Sequence, residues 1–181
     1  MADKLHPLWY SPFLPIFFLA LGAGPGMVII ESSLCQRSFG HALEMRLLEP
    51  LGRAMIVALG VYGIVRVQDL ARRGALGMLL HPEYEGAMFL LEFGLGVLLP
   101  VALLAFPRVR HREGGLVLGA YLTVLGFIVN RLNVSITGME RAAGVTYFPS
   151  WMEIAISLAL VAGGFALFGL AVRYLPIFVD P

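Results

Sequence analysis

The sequence contains one cysteine, Cys35, among its 181 residues. A single cysteine cannot form a disulfide within the chain, and it cannot supply the several thiolates that hold an iron–sulfur cluster. Charged residues are also scarce, at 14% of the chain, and the formal net charge is only +1. Such a small charge gives no electrostatic basis for binding nucleic acid. These shortages exclude a disulfide-stabilised domain and argue against an iron–sulfur carrier or a DNA-binding protein.

Histidine is missing from the segments where a haem protein needs it. All four histidines fall in leads or loops between the apolar segments: His6, His41, His81 and His111. Axial ligands of a buried b-type haem usually project from helices into the bundle. We therefore predict that the chain binds no haem. No spacing typical of a metal site, a Ser–His–Asp triad or a phosphate loop occurs either, so we predict no cofactor bound covalently or as a metal.

Apolar residues, by contrast, are abundant. They make up 59% of the chain, and the mean hydropathy is +0.82, whereas a soluble domain is closer to half apolar and a quarter charged. The excess lies in blocks longer than the roughly 18 residues that cross a bilayer. We predict an all-α fold, an integral membrane bundle of about five transmembrane helices that form one domain over residues 1–181. The predicted helices span residues 12–33, 51–70, 86–106, 115–136 and 151–172.

Glu92 lies inside the third predicted helix. An ionisable side chain at membrane depth is costly, and it normally faces the bundle interior or a water-filled cavity. Glu92 lies about six residues from the helix start, roughly 9 Å deep, and two arginines approach the same depth. We predict a quinone or proton pathway formed by Glu92, Arg131, Asn133 and Arg66. In the structural alternative for Glu92, its carboxylate forms an ion pair with Arg66 or Arg131. In the structural alternative for Arg131, its side chain extends to water at the membrane surface.

The longest polar interruption, residues 130–153, separates the last two predicted helices. A polar loop with aromatic residues at its edge is typical of a membrane-surface loop where a partner docks. We predict a partner-docking loop that includes Arg141, Tyr147, Trp151 and Glu153. Ser150 and Glu153 also match a capping box, which requires no partner. Both interpretations remain open at this stage.

Three ordered motifs carry a family resemblance. They are NRLNVSITG at residues 130–138, YFPSWME at 147–153 and RYLPIF at 173–178. Together they resemble the carboxy-terminal end of the NrfD/PsrC family of polysulfide reductase membrane subunits, and in particular the HybB-type membrane subunit of nickel–iron hydrogenases. Shorter matches at Phe39–Gly40, Asp69–Leu70 and Leu91–Glu92 fit the same branch. The resemblance covers nearly the whole chain and corresponds to the second half of a longer family member.

The resemblance implies a membrane anchor subunit of a respiratory oxidoreductase complex, without catalytic residues of its own. Such a subunit links a ferredoxin-like iron–sulfur subunit, and through it a catalytic subunit, to the quinone pool. The implied exchangeable ligand is menaquinone or ubiquinone, and the implied location is the bacterial inner membrane. Family members are roughly twice as long as this chain. The sequence is therefore either a fragment of such a member or the product of a split gene, in which case we expect a second membrane chain to supply the missing helical bundle.

Two other functions fit the residues. The chain is then either a structural half-subunit that docks the iron–sulfur protein without a quinone site, or a small membrane transporter. In a transporter, Glu92 and Arg131 would line the substrate path. Transporters often contain inverted repeats and broken helices, whereas only Pro25 marks a clear break here. This pattern favours the anchor.

Overall fold

The computed structural model describes residues 8–9, 13–39, 44–79, 84–137 and 150–174. Within these ranges the chain is helical apart from short turns and contains no strand. The α-helices are α1 (Phe13–Phe39), α2 (Met45–Arg72), α3 (Tyr84–Phe93), α4 (Leu99–Ala105), α5 (Pro107–Arg110), α6 (Glu113–Leu132) and α7 (Trp151–Tyr174). A 3-10 turn spans Ala75–Leu79, and two π-helical segments span Gly94–Leu98 and Asn133–Thr137. The predicted all-α class is confirmed.

Four stretches of the described chain are long and apolar enough to cross a membrane: Phe17–Ser38, Met45–Arg72, Tyr84–Ala105 and Glu113–Ile136. The third of them runs continuously through α3, the first π segment and α4. In α7, the apolar stretch Trp151–Gly164 is shorter than these four. The predicted helical membrane bundle is confirmed, and the chain is a multi-pass membrane protein. A single domain over residues 1–181 stays a prediction.

Two helices extend beyond the predicted bounds, α1 at its carboxy-terminal end and α2 at its amino-terminal end, and both contain a proline. Helix α1 runs past Pro25 to Phe39, and α2 begins at Met45 and includes Pro50. A proline removes one backbone hydrogen bond, but neighbouring helices in a membrane bundle can compensate for that loss. The sequence prediction took Pro50 as a boundary, and this assignment was too strict.

Residues 1–145 form one compact unit, in which successive membrane helices alternate in direction. Gly22 faces Leu59 while Gly26 faces Met55, so α1 and α2 run antiparallel. The buried apolar side chains form three groups along the bundle. One contains Ile29, Met55, Leu104, Leu116 and Ala120, the next Leu19, Leu59, Tyr62 and Val97, and the last Leu8, Trp9, Leu70, Ala75 and Phe89. Large apolar side chains such as Val57 and Ile64 are exposed on the outside, as expected for a lipid-facing surface.

Residues 146–181 form a second compact unit, which contains α7. The amide N–H of Ser150 donates to Glu153 Oε2 at 3.0 Å, and the amide N–H of Glu153 lies 3.4 Å from Ser150 Oγ. This reciprocal pair is the predicted capping box. It explains why α7 begins at Trp151.

Candidate functional site

The backbones of the first π segment and α6 meet at Gly96 and Gly126. A Cβ atom built on Gly96 would lie 2.6 Å from the Cα of Gly126, closer than side-chain atoms can pack. Glycine at both positions therefore permits this approach. Because the two helices run antiparallel, the turn before Gly96 faces the turn after Gly126. Those turns carry Glu92 and Asn130.

Glu92 is buried and accepts three hydrogen bonds. Its Oε1 accepts from Asn130 Nδ2 at 2.6 Å, and its Oε2 accepts from Asn133 Nδ2 at 2.8 Å and from Trp9 Nε1 at 3.0 Å. Within the described part of the chain, no arginine or lysine forms an ion pair with it. Neutral N–H groups thus compensate for the burial of this carboxyl group.

Arg66 is buried nearby, with 2% of its surface exposed. Its Nη2 donates a hydrogen bond to the backbone carbonyl of Leu8, and its guanidinium carbon lies 5.5 Å from the centre of the Phe89 ring. Its Nε has no hydrogen-bond partner among the described residues. Arg66 therefore holds the backbone next to Trp9. We call Trp9, Arg66, Glu92, Asn130 and Asn133 the Glu92 cluster.

Aromatic rings connect the Glu92 cluster to the middle of the bundle. The rings of Phe89 and Phe93 stack with centroids 5.9 Å apart and an interplanar angle of 9°. Phe89 also meets Trp9 edge-on at 6.4 Å, and Phe93 lies 6.3 Å from Tyr62. Such ring pairs stabilise packing beyond simple burial. Phe93 directly follows Glu92 in the chain, so the rings lead from the carboxyl group toward α2.

Both π segments adjoin the Glu92 cluster. The first begins two residues after Glu92, and the second begins at Asn133. Pro100, which follows the first segment, has no N–H to donate to the preceding turn. Single-turn π-helical segments occur often at functional sites, because the extra residue turns the side chains before it relative to those after it.

The structure brings together three of the four residues predicted for the quinone or proton pathway: Glu92, Asn133 and Arg66. Arg131 forms no ion pair among the described residues. Its side chain is exposed, with the guanidinium carbon 5.0 Å from the centre of the Phe127 ring. Each helical residue turns the side-chain direction by about 100°, so Arg131 points away from the direction of Asn130. Arg131 is therefore not a direct hydrogen-bond or ion-pair partner of Glu92 among the described residues, and its part in a quinone or proton pathway stays a prediction.

The alternative ion pair between Glu92 and Arg66 is absent from the described chain. Asp69, three residues after Arg66, pairs with Arg73 one turn later in α2. The pairing at i, i+4 is common on exposed helix faces. Asp69 therefore has a partner other than Arg66, whose side chain is buried inside the bundle.

Sequence reasoning missed two members of the Glu92 cluster, Asn130 and Trp9. Asn130 precedes Asn133 by three residues, a spacing that places both amides on one helix face. That spacing was available in the sequence. Trp9 lies 83 positions from Glu92, and no local pattern links the two.

The predicted partner-docking loop is only partly described. Arg141 and Tyr147 lie outside the described residues. Trp151 is exposed at the start of α7, and Glu153 forms the capping box. Docking by this loop stays a prediction.

At the opposite end of the bundle, Glu49 contacts three basic side chains. It lies 2.6 Å from Arg53 Nη2, 3.2 Å from His111 Nδ1 and 3.9 Å from Arg110 Nε. Arg110 also donates to the carbonyl of Leu104 at 2.9 Å. These contacts fasten the turn between α5 and α6 to the start of α2. We interpret the set as structural because Glu49 and its partners are partly exposed and mutually paired.

Comparison with known proteins identifies relatives among membrane subunits. The chain is 32% identical over 179 residues to the "Probable Ni/Fe-hydrogenase 2 b-type cytochrome subunit" of Escherichia coli, an alignment covering 96% of this chain and 45% of the relative. It is 25% identical over 190 residues to the "Menaquinone reductase, integral membrane subunit" of Nitratidesulfovibrio vulgaris, covering 94% and 45%. The chain thus spans about half the length of the curated relatives it matches. No solved structure matches it.

The name of the Escherichia coli relative contradicts our prediction that the chain binds no haem, because that relative is named a b-type cytochrome subunit. Among the described residues the sole histidine is His111, which is exposed and contacts Glu49, so these residues provide no pair of axial histidines. His6, His41 and His81 lie outside the described ranges. The prediction failed because it counted histidines in predicted helices of this chain alone, which spans 45% of that relative.

The family assignment rests on a match over most of the chain. Residues 2–143 match the family described as polysulphide reductase, NrfD. This range contains the whole Glu92 cluster and the first of the three motifs that carried the resemblance. The resemblance is therefore confirmed, and the chain belongs to the polysulphide reductase NrfD family.

Proposed function

We propose that this chain is a membrane anchor subunit of a respiratory oxidoreductase complex, where it takes part in electron exchange with the quinone pool. The observation that carries the proposal is the buried carboxyl group of Glu92, held by Trp9, Asn130 and Asn133. The names of the relatives support it, since one is a hydrogenase subunit and another a menaquinone reductase subunit.

The chemistry of a quinone explains the need for such a group. Reduction of a quinone to a quinol consumes two electrons and two protons, and the reverse reaction releases them. In the Glu92 cluster, the carboxyl group can transfer a proton at membrane depth. Amide and indole N–H groups cannot do so, because they do not ionise at physiological pH. Asn130 and Asn133 orient the carboxyl oxygens. Glu92 therefore acts as the proton-transfer group in this proposal.

The partners follow from what the chain lacks. With one cysteine it cannot hold an iron–sulfur cluster alone, so electrons must reach the quinone through other subunits. We propose a ferredoxin-like iron–sulfur subunit next to a catalytic subunit, and a second membrane chain that supplies the remaining bundle. Arg141, Tyr147, Trp151 and Glu153 belong to the proposed docking loop. The proposed location is the bacterial inner membrane.

Glu92→Gln tests the proposal. Glutamine keeps the side-chain shape but cannot transfer a proton, so we expect the complex to assemble and its quinone-dependent electron transfer to fall by about tenfold or more. Native electrophoresis follows assembly, and absorbance of a soluble menaquinone analogue follows the reaction. Glu31→Gln is the matched control, because Glu31 is exposed in α1.

Two outcomes contradict the proposal. If Glu92→Gln prevents assembly, the cluster has the structural role of the half-subunit alternative. If Glu92→Gln assembles and transfers electrons as fast as Glu31→Gln, Glu92 has no part in the reaction.

A further inference from the structure

A groove runs along the bundle between α2 and the continuous helix of α3 and α4. Its volume is about 390 Å³, within the range of about 300–1,000 Å³ typical of small-molecule sites. On α2 it extends from Leu59 to Gln68, and on the other side from Phe93 to Val101. Gln68 is its one polar lining residue. Both walls belong to stretches long and apolar enough to cross a membrane.

Two glycines in α2 create the groove. A Cβ atom built on Gly60 would have no neighbouring atom within 4 Å. One built on Gly63 would lie 3.6 Å from Val97 Cγ1 and 3.7 Å from Phe93 Cζ. A larger side chain at Gly60 would therefore enter open space without striking the backbone of a neighbouring helix.

One end of the groove approaches the Glu92 cluster. Phe93 lines this end and is bonded in sequence to Glu92, and its ring stacks on Phe89, which lies beside Arg66. Gln68 lies on α2 at the same end and offers both a donor and an acceptor. The other end, near Leu59 and Val101, is apolar throughout. The groove thus has a polar end near an ionisable group and a long apolar remainder.

This shape matches a molecule with a small polar head and a linear hydrocarbon tail. We propose that the groove binds the isoprenoid tail of a quinone, with the quinone ring at the end formed by Gln68 and Phe93. The inference rests on the proposed function, which supplies the quinone, and adds the place where its tail lies. A phospholipid acyl chain is the competing occupant, but its head would lie at the membrane surface and would not need a polar side chain such as Gln68 at the end of the groove lined by Phe93.

Gly60→Leu tests the groove directly. The full chain, reconstituted in nanodiscs of one synthetic phosphatidylcholine, is titrated with decylubiquinone and with tail-free ubiquinone-0, and binding is followed by quenching of the fluorescence of Trp9 and Trp151. We expect Gly60→Leu to weaken binding of decylubiquinone by about tenfold. Binding of ubiquinone-0 should change by less than about twofold.

Two further variants control the experiment. Gly24→Leu is the matched control, because Gly24 also lies in a membrane helix and a Cβ there would have no neighbour within 4 Å. It should bind both quinones as the unchanged chain does. Gly60→Ala adds only one carbon, so it should fold readily and weaken decylubiquinone binding less than leucine does.

Three results would overturn the inference, and they are distinguishable. If the unchanged chain binds neither quinone, the proposed function fails and the inference falls with it. If the unchanged chain binds decylubiquinone and Gly60→Leu binds it equally well, the groove assignment alone is wrong. If Gly60→Leu leaves quinone binding intact but loses a co-purified phospholipid by native mass spectrometry, the groove binds a lipid acyl chain instead.

Discussion

Replacing Gly96 by alanine should separate two helices and disrupt the Glu92 cluster. The new Cβ would lie 2.6 Å from the Cα of Gly126, whereas carbon atoms pack at about 3.5–4.0 Å. The neighbour is backbone and cannot rotate away, so α6 must shift by roughly 1 Å. The hydrogen bond from Asn130 to Glu92, now 2.6 Å long, would lengthen to about 3.6 Å and be lost.

The expected loss of stability for Gly96→Ala follows from three contributions. Overpacking costs about 1–3 kcal/mol, and losing a hydrogen bond to a carboxylate costs about 1.5–3 kcal/mol. The better helix propensity of alanine returns about 0.8–1 kcal/mol. The free energy of unfolding should therefore fall by about 1.5–5 kcal/mol.

Gly94→Ala provides a close control, because it lies two residues away in the same π segment and a Cβ there would have no neighbour within 4 Å. The free energy of unfolding is measured in detergent micelles by titration with dodecyl sulfate, with circular dichroism as the signal. Gly94→Ala should be at least as stable as the unchanged chain. If Gly96→Ala and Gly94→Ala are equally stable, backbone contact does not fix the crossing between the first π segment and α6.

Two further predictions concern the ends of the bundle. Arg66→Lys removes the planar guanidinium that binds the Leu8 carbonyl, so the buried indole of the neighbouring Trp9 should become more exposed and its fluorescence emission should shift to longer wavelength. The emission is measured with Trp151 replaced by phenylalanine, and an unchanged emission wavelength would contradict the prediction. After replacement of the native cysteine by serine, Gly77→Cys and Arg108→Cys should react with an impermeant maleimide from opposite sides of the membrane, and labelling of both from one side would show that a crossing is miscounted.

Local sequence patterns predicted the membrane stretches and singled out Glu92. Both predictions depend on the cost of placing polar groups in hydrocarbon, which a short window of sequence reveals. The capping box of Ser150 and Glu153 was predictable for the same reason, since its members lie three residues apart. Local rules thus predicted features whose physical cause is local.

Features that depend on how helices meet were not predictable. Gly94 and Gly96 look alike in the sequence, but only Gly96 touches another backbone. The inward direction of Asn130, and the outward direction of Arg131, depends on the rotation of α6 against α3. Hydropathy alone does not fix that rotation when neighbouring residues are both polar.

The hydrogen bond between Trp9 and Glu92 also has a consequence for the order in which the protein is made. The two residues are 83 positions apart, and ribosomes add about 5–20 residues per second, so Trp9 emerges roughly 4–17 s before its acceptor. During that interval the indole N–H lacks its carboxyl partner, and Asn133, 41 positions after Glu92, is made later still. The segment around Trp9 therefore completes its contacts with the Glu92 cluster only after α6 has entered the membrane. The Glu92 cluster thus joins segments that are synthesised many seconds apart.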